Sequence, residues 1–98
     1  MEYREIKIYF DDVLYVQGLK NYVKIYLIQQ AKSFLTRSTL KALLAQLPGN
    51  AFCRVHKSFI VALSKISLSQ RTNLYIGKQQ IPISSRFVDD FERRYRSC

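Results

Sequence analysis

Three short polar runs carry the side chains whose types and spacing suit recognition chemistry: Lys20-Asn21-Tyr22, His56-Lys57-Ser58 and Ser84-Ser85-Arg86. Each adjoins or interrupts an apolar stretch, which places it at a loop, a strand edge or a hairpin tip. Lysine neutralises phosphate and asparagine reads a base edge. Tyrosine packs on sugar or a thymine methyl, and arginine carries the planar fork that matches guanine. Lys57 and Ser58 together offer an ammonium and a hydroxyl. His56 beside them is either a phosphate or base contact or a strand-end imidazole satisfied by backbone groups. Ser84 or Ser85 can open a helix whose free amides attract phosphate, with Arg86 next to them. The plainer readings are a solvated Lys57 and an Asn21 that only makes a tight turn.

The charge distribution weighs between these readings. The formal net charge is +9, and the acids are Glu2, Glu5, Asp11, Asp12, Asp89, Asp90 and Glu92. From Val13 to Val88 there is no Asp or Glu, whereas Lys20, Lys24, Lys32, Arg37, Lys41, Arg54, Lys57, Lys65, Arg71, Lys78 and Arg86 all lie there. A field of one sign opposes folding by self-repulsion, but it attracts a polyanion and gains affinity by releasing condensed counterions. Nucleic acid is the natural partner, with an anionic membrane surface second. A surface that only aids solubility does not call for the exclusion of every acid.

The same distribution argues against catalysis. Between residues 13 and 88 the one carboxylate or imidazole available for general acid or base work is His56, and a lone histidine does not make a zinc site. Neither an enzyme, a metal site nor a cofactor is expected. Cys53 lies in a strand-like run and Cys98 at the last position, without metal-ligand spacing or a disulfide framework, so Cys53 is read as core and Cys98 as a bystander. No apolar run approaches the roughly 18 residues of a membrane-spanning helix. The N-terminus lacks the basic-then-apolar pattern of a signal peptide. The expectation is a soluble, cytoplasmic protein that does not engage a membrane.

The elements that must position these residues are mostly strands. Tyr3 to Phe10 alternates with period two, Val13 to Val16 is a second short run ended by Gln17-Gly18, and Tyr22 to Ile28 alternates most clearly. Lys32 to Thr36 is expected to pair with it through Gln29-Gln30-Ala31. Leu40, Leu43, Leu44 and Leu47 then take helical spacing after Ser38 or Thr39 as N-cap, and Pro48-Gly49-Asn50 stops the helix. Phe52 to Val55, Ser58 to Leu63, Lys65 to Leu68, Asn73 to Ile76 and Gln79 to Ile83 read as strands. Gly77-Lys78 makes a hairpin turn, and Pro82 requires that its strand lie at an edge or end near there. A C-terminal helix carries Phe87, Val88, Phe91 and Tyr95 on one face, with weak ion pairs such as Asp89 with Arg93 and Asp90 with Arg94. With no helix-turn-helix, zinc-finger or basic-zipper pattern, DNA binding would have to use loops.

The blocks Phe10-Asp-Asp-Val-Leu-Tyr-Val-Gln-Gly18 and Asn21-Tyr-Val-Lys-Ile25 resemble the LytTR family of bacterial DNA-binding domains. So do Thr39-Leu-Lys-Ala-Leu43, Phe52-Cys-Arg-Val-His-Lys-Ser-Phe-Ile-Val61 and Ile81-Pro-Ile-Ser-Ser-Arg86, in the family's order and over essentially the whole chain. The resemblance implies a mainly β fold, an elongated stack of small antiparallel β-sheets with two short helices, whose loops enter successive major grooves and bend the duplex at direct repeats. It implies the output domain of a two-component response regulator that follows a receiver domain. Residues 1–98 are then a single domain excised from a longer regulator, monomeric alone and dimeric on DNA in the parent. Base contacts fall on the first hairpin tip (Asn21 and Tyr22, with Lys20 an alternative because that loop varies in length), on Lys57 and on Arg86. His56 and Ser58 flank as backbone contacts, and Lys20, Lys24, Arg54 and Ser85 complete the expected DNA-binding set. Where many members carry Arg-Arg, this chain has Ser85-Arg86, which leaves its base preference open. The competing readings are a basic β-domain for protein–protein interaction or non-specific nucleic-acid binding, and a single-strand binder that stacks bases on Tyr15, Tyr22, Tyr26 or Tyr75.

Overall fold

A computed structural model describes residues 7–28 and 33–96. The alternating runs form an antiparallel five-stranded sheet of β1 (Val13–Leu19), β2 (Tyr22–Leu27), β3 (Phe34–Arg37), β4 (Phe52–His56) and β5 (Phe59–Ala62), ordered β3-β2-β1-β5-β4. A second antiparallel sheet holds β6 (Leu68–Ser69), β7 (Asn73–Ile76) and β8 (Gln79–Pro82) in sequence order. Helix α1 (Leu40–Leu44) follows β3, and α2 (Val88–Arg96) closes the described chain. The molecule measures 46 × 25 × 21 Å, so the expected elongated, mainly β stack with two short helices is what the chain adopts.

Period-two alternation gives the larger sheet two apolar faces, and each builds its own core. On one face Val16, Val23, Ile25 and Ile60 pack with Phe52 and with Leu40 of α1, flanked by Leu43, Leu44 and Leu47, the stripe expected from the helical spacing. On the other, Tyr15, Cys53, Val55 and Val61 meet Leu74, Ile76 and Ile81 of the smaller sheet and Phe91 of α2. The larger sheet is therefore the middle layer. Burying side chains of this size contributes about 1.5–3 kcal/mol each. Cys53 belongs to this core, and burial pushes its thiol up to about 11, which keeps it unreactive.

Several elements differ from the sequence reading, each for a local reason. Residues 1–6 lie outside the described residues, residues 7–9 are not strand, and Phe10–Asp12 form a 3-10 turn closed by Asp12 N–H donating to Tyr9 O at 3.0 Å. The turn chemistry of the paired aspartates prevails over the alternation. β1 continues past Gln17-Gly18 to Leu19, because the ladder with Lys24, Val23 and Tyr22 of β2 runs on, and the missing Cβ of Gly18 lets Leu40 approach there. The strand expected over Lys65 to Leu68 is a 3-10 turn at Leu63–Lys65, with buried Leu63 carrying the chain from one sheet to the other, followed by the two-residue β6. The strand expected at Lys32 to Thr36 is β3, Phe34–Arg37, and its connection through 29–31 lies outside the described residues, as does Cys98. Thr39 caps α1, accepting from Ala42 N–H at 3.1 Å. Gly77 takes φ +61° in the β7–β8 turn, and Pro82 sits on the edge strand β8, opposite Asn73.

Candidate nucleic-acid interface

The polar interruption at His56-Lys57-Ser58 is a hairpin turn. His56 pairs with Phe59, leaving Lys57-Ser58 as the two-residue tip, and a register shift between Arg54 and His56 marks a bulge that bends β4 just before it. The side chain of Arg54 holds the tip closed. Its Nη2 donates to Lys57 O at 2.7 Å and its Nε to His56 O at 3.3 Å. His56 Nδ1 accepts from Ser58 N–H at 3.1 Å, which assigns the proton of the neutral ring to Nε2 and leaves that N–H as the donor. Ser58 O in turn accepts from Gly18 N–H at 2.8 Å, fastening the turn to β1. Lys57 itself is exposed.

The β1–β2 turn lies at the same end of the larger sheet. Leu19 pairs with Tyr22, so Lys20-Asn21 forms its tip, and Lys20 holds φ +31° there, a left-handed conformation strained for a side chain with a Cβ. Asn21 O accepts from Ser38 N–H at 3.0 Å, which brings the start of α1 beside the tip. Tyr22 is 44% exposed.

Between the two turns and α1 opens a cleft of about 280 Å³ lined by Lys20, Tyr22, Thr39, Lys41, Arg54, Lys57 and Ser58 over Gly18, Leu19 and Leu40. Among the described residues, no carboxylate lines it. A larger concavity of about 520 Å³ lies between the β6–β7 turn and α2, but there Asp89 and Glu92 offset Arg71 and Arg96, so its lining offers a polyanion no net positive charge. The basic cleft is therefore the better anion surface despite its smaller volume. Lys41 and Thr39 belong to it and were not singled out from sequence. The helical spacing had already placed Lys41 off the apolar stripe of α1, but only the packing of Leu40 on Gly18 shows where that polar face points.

Three expected residues, Lys24, Ser85 and Arg86, lie apart from this cleft. Lys24 is half-buried in β2 with its Nζ 5.8 Å from the centroid of the Tyr26 ring. Ser85 and Arg86 are exposed in a turn that precedes α2, so the helix starts later than the serines promise. That turn is nevertheless tied to β4, since Ser84 N–H donates to Val55 O at 2.9 Å, and Phe87 N–H closes it on Ser84 O at 3.0 Å.

The aromatic residues expected as stacking platforms are mostly committed elsewhere. Tyr15 is buried and stacks on Tyr26 at 4.3 Å between centroids, and burial, then the neighbouring Tyr26, pushes its hydroxyl up to about 12. Tyr75 is half-buried, and Tyr22 is the tyrosine of the four that is exposed. A continuous base-stacking strip of the single-strand type has little support in this arrangement. Among the described residues, no helix is long and apolar enough to cross a membrane.

Comparison with known proteins bears on the family and the fold. The model of the LytTr DNA-binding domain matches residues 3–96. An uncharacterized response regulatory protein of Vibrio cholerae serotype O1 is 35% identical over 81 residues, which cover 76% of this chain and 31% of that protein, so the chain spans about a third of the relative it matches. A solved LytTr DNA-binding domain from Bacillus cereus superposes with a TM-score of 0.78 over 91% of this chain and 85% of that one, at 20% identity. The same fold is thus reached with a largely different sequence.

Proposed function

The chain belongs to the LytTr DNA-binding domain family, and from that premise we propose that it recognises duplex DNA by sequence and thereby controls transcription. The observation that carries this reading is the convergence of Lys20, Lys41, Arg54 and Lys57 on one acid-free cleft flanked by two hairpin tips. Cations there release counterions from the phosphate backbone, and the tips supply side chains narrow enough to enter a groove. In this reading Lys57 and Arg86 are the base readers, with Asn21 and Tyr22 at the first hairpin tip. Lys20, Lys24, Lys41, His56, Ser58 and Ser85 meet the backbone. Arg54 serves chiefly by shaping the tip that presents Lys57. The Vibrio cholerae relative is named a response regulatory protein and is longer than this chain. We place the domain accordingly as the cytoplasmic output module of such a regulator, controlled by a receiver domain and bound as a dimer to direct repeats.

The test is selection of binding sites from a random duplex library, followed by titration of the selected duplex and a scrambled one at two salt concentrations. A short enriched motif whose advantage persists at the higher salt supports the reading. Binding that tracks charge alone, with no motif, refutes it and favours a basic adhesive surface. Arg86→Ala is expected to lose about 1–3 kcal/mol on the selected duplex and to relax preference at one position, whereas Lys24→Ala weakens all duplexes alike.

A further inference from the structure

Phe87 lies outside every recognition run read from the sequence, yet it joins the two loops that carry the proposed readers. The guanidinium carbon of Arg54 lies 5.6 Å from the centroid of its ring, and that of Arg86 lies at the same 5.6 Å. Arg54 is the residue whose guanidinium bonds the carbonyls of His56 and Lys57, so one ring touches both the clasp of the β4–β5 turn and the arginine of the 84–87 turn. The ring is half-buried rather than free to swing. It lines a cavity of about 420 Å³ with Leu44, Phe52 and Arg54, while its backbone carbonyl accepts from Phe91 N–H at 3.0 Å at the start of α2. Ser84 N–H bonding to Val55 O fixes the same two segments through the main chain.

We infer that Phe87 is a positioning residue for specificity: it aligns Arg54 and Arg86 on one aromatic ring, so that Lys57 and Arg86 present to DNA as a single rigid unit. The physical ground is preorganisation. A guanidinium resting on an aromatic ring gives up side-chain freedom before binding, and a planar group stacks there where an ammonium does not. Free of the ring, Arg86 would remain a cation able to meet any phosphate, but it would have to be ordered afresh to meet one base. Phe87 therefore acts on the preference between sequences rather than on adhesion to DNA as such. This rests on the reading that Lys57 and Arg86 contact bases.

The experiment compares the chain with Phe87→Leu and Phe87→Tyr on the selected duplex and on scrambled DNA. Phe87→Leu keeps the apolar filling and removes the ring. Loss of two exposed cation–π contacts is expected to weaken the selected duplex by about 5- to 30-fold while scrambled DNA binds as before, and Phe87→Tyr restores the preference. A double-mutant cycle of Lys57→Ala against Arg86→Ala should show coupling in the parent chain and additivity in the Phe87→Leu background. Should Phe87→Leu not fold, Arg54→Lys tests the same linkage from the other side. It keeps the charge, loses the planar fork, and is expected to lower the ratio of selected to scrambled affinity. Equal losses on both duplexes, or a preference that survives Phe87→Leu and Arg54→Lys, would overturn the positioning role alone. A parent chain with no sequence preference would overturn the DNA-reading proposal and this one with it.

Discussion

Arg54 Nη2 donates to the main-chain carbonyl of Lys57 at 2.7 Å, so the lysine proposed to read DNA is set in place by an arginine three residues before it. The two cations then do separable work. Hydrogen bonds from a charged donor are worth about 1.5–3 kcal/mol when protected and less when partly exposed. Arg54→Ala is expected to lower the unfolding free energy by about 1–2 kcal/mol, whereas Lys57→Ala leaves it within about 0.5 kcal/mol and weakens DNA binding alone. Urea denaturation beside DNA titration separates them. Equal stability of the two variants would show that the guanidinium does not hold the turn.

Gly18 is where α1 meets the first hairpin. A Cβ there would stand 2.9 Å from both Cγ and Cδ1 of Leu40, a residue buried in its own core. Gly18→Ala is expected to destabilise by about 1–3 kcal/mol and to move Lys41 relative to Lys20, weakening DNA binding as well. Gly49→Ala is the control, since nothing lies within 4 Å of its added carbon. A thermal melt in which the two variants lose stability equally would show that the close approach carries no penalty.

Lys20 combines a strained backbone with a useful charge. At φ +31° a glycine is easier to accommodate. Lys20→Gly is expected to raise stability by up to about 1 kcal/mol while lowering affinity for every duplex, with a shallower dependence on salt. If Lys20→Gly melts lower than Lys20→Ala, the turn does not store strain.

Asp90 couples stability to acid pH. Its carboxyl is held below the usual carboxylate range, first by the hydrogen bond from Arg93 and further by Arg94, with ion-pair distances of 2.6 and 3.0 Å. Because the folded value is the lower one, the stabilisation is complete above the unfolded value near 3.8 and is lost as pH falls from there through the folded value. Asp90→Asn should therefore cost little extra at the acid end and more near neutrality, an effect reduced by salt because these side chains are substantially exposed. Unfolding curves from pH 2 to 7 that run parallel for parent and variant would exclude the linkage.

Much of this architecture is legible in the sequence. The alternation of Val23, Ile25 and Leu27, the leucine stripe of α1, the Gly77 turn and the edge placement of Pro82 all follow from local rules that the tertiary structure leaves intact. The two hairpin turns proposed to meet DNA are visible in the sequence as polar breaks at Lys20-Asn21 and Lys57-Ser58. Arg94, expected to meet Asp90 one turn away, does so, while Arg93 reaches the same carboxylate. What could not be read was anything that depends on distant packing. Gly18 looked like the end of a strand because the sequence does not say that Leu40 lies across it. Lys41 joins Lys57 across a cleft built from three separate elements. Arg54 looked like one more surface cation until its bonds to the carbonyls of the turn were visible, and Phe87 looked like one more apolar position on a helix face.

The two-residue β4–β5 tip also bears on how such a domain can diversify. Its length is fixed by the pairing of His56 with Phe59 and by the reach of Arg54 to Lys57 O, so an inserted residue would break the clasp or slip the strands and turn core side chains outward. The side chain at position 57 is exposed and meets no such restriction. On the proposed reading, descendants of one ancestral scaffold can thus change which duplex they prefer by exchanging single residues at fixed tips, with the strands beneath inherited unchanged.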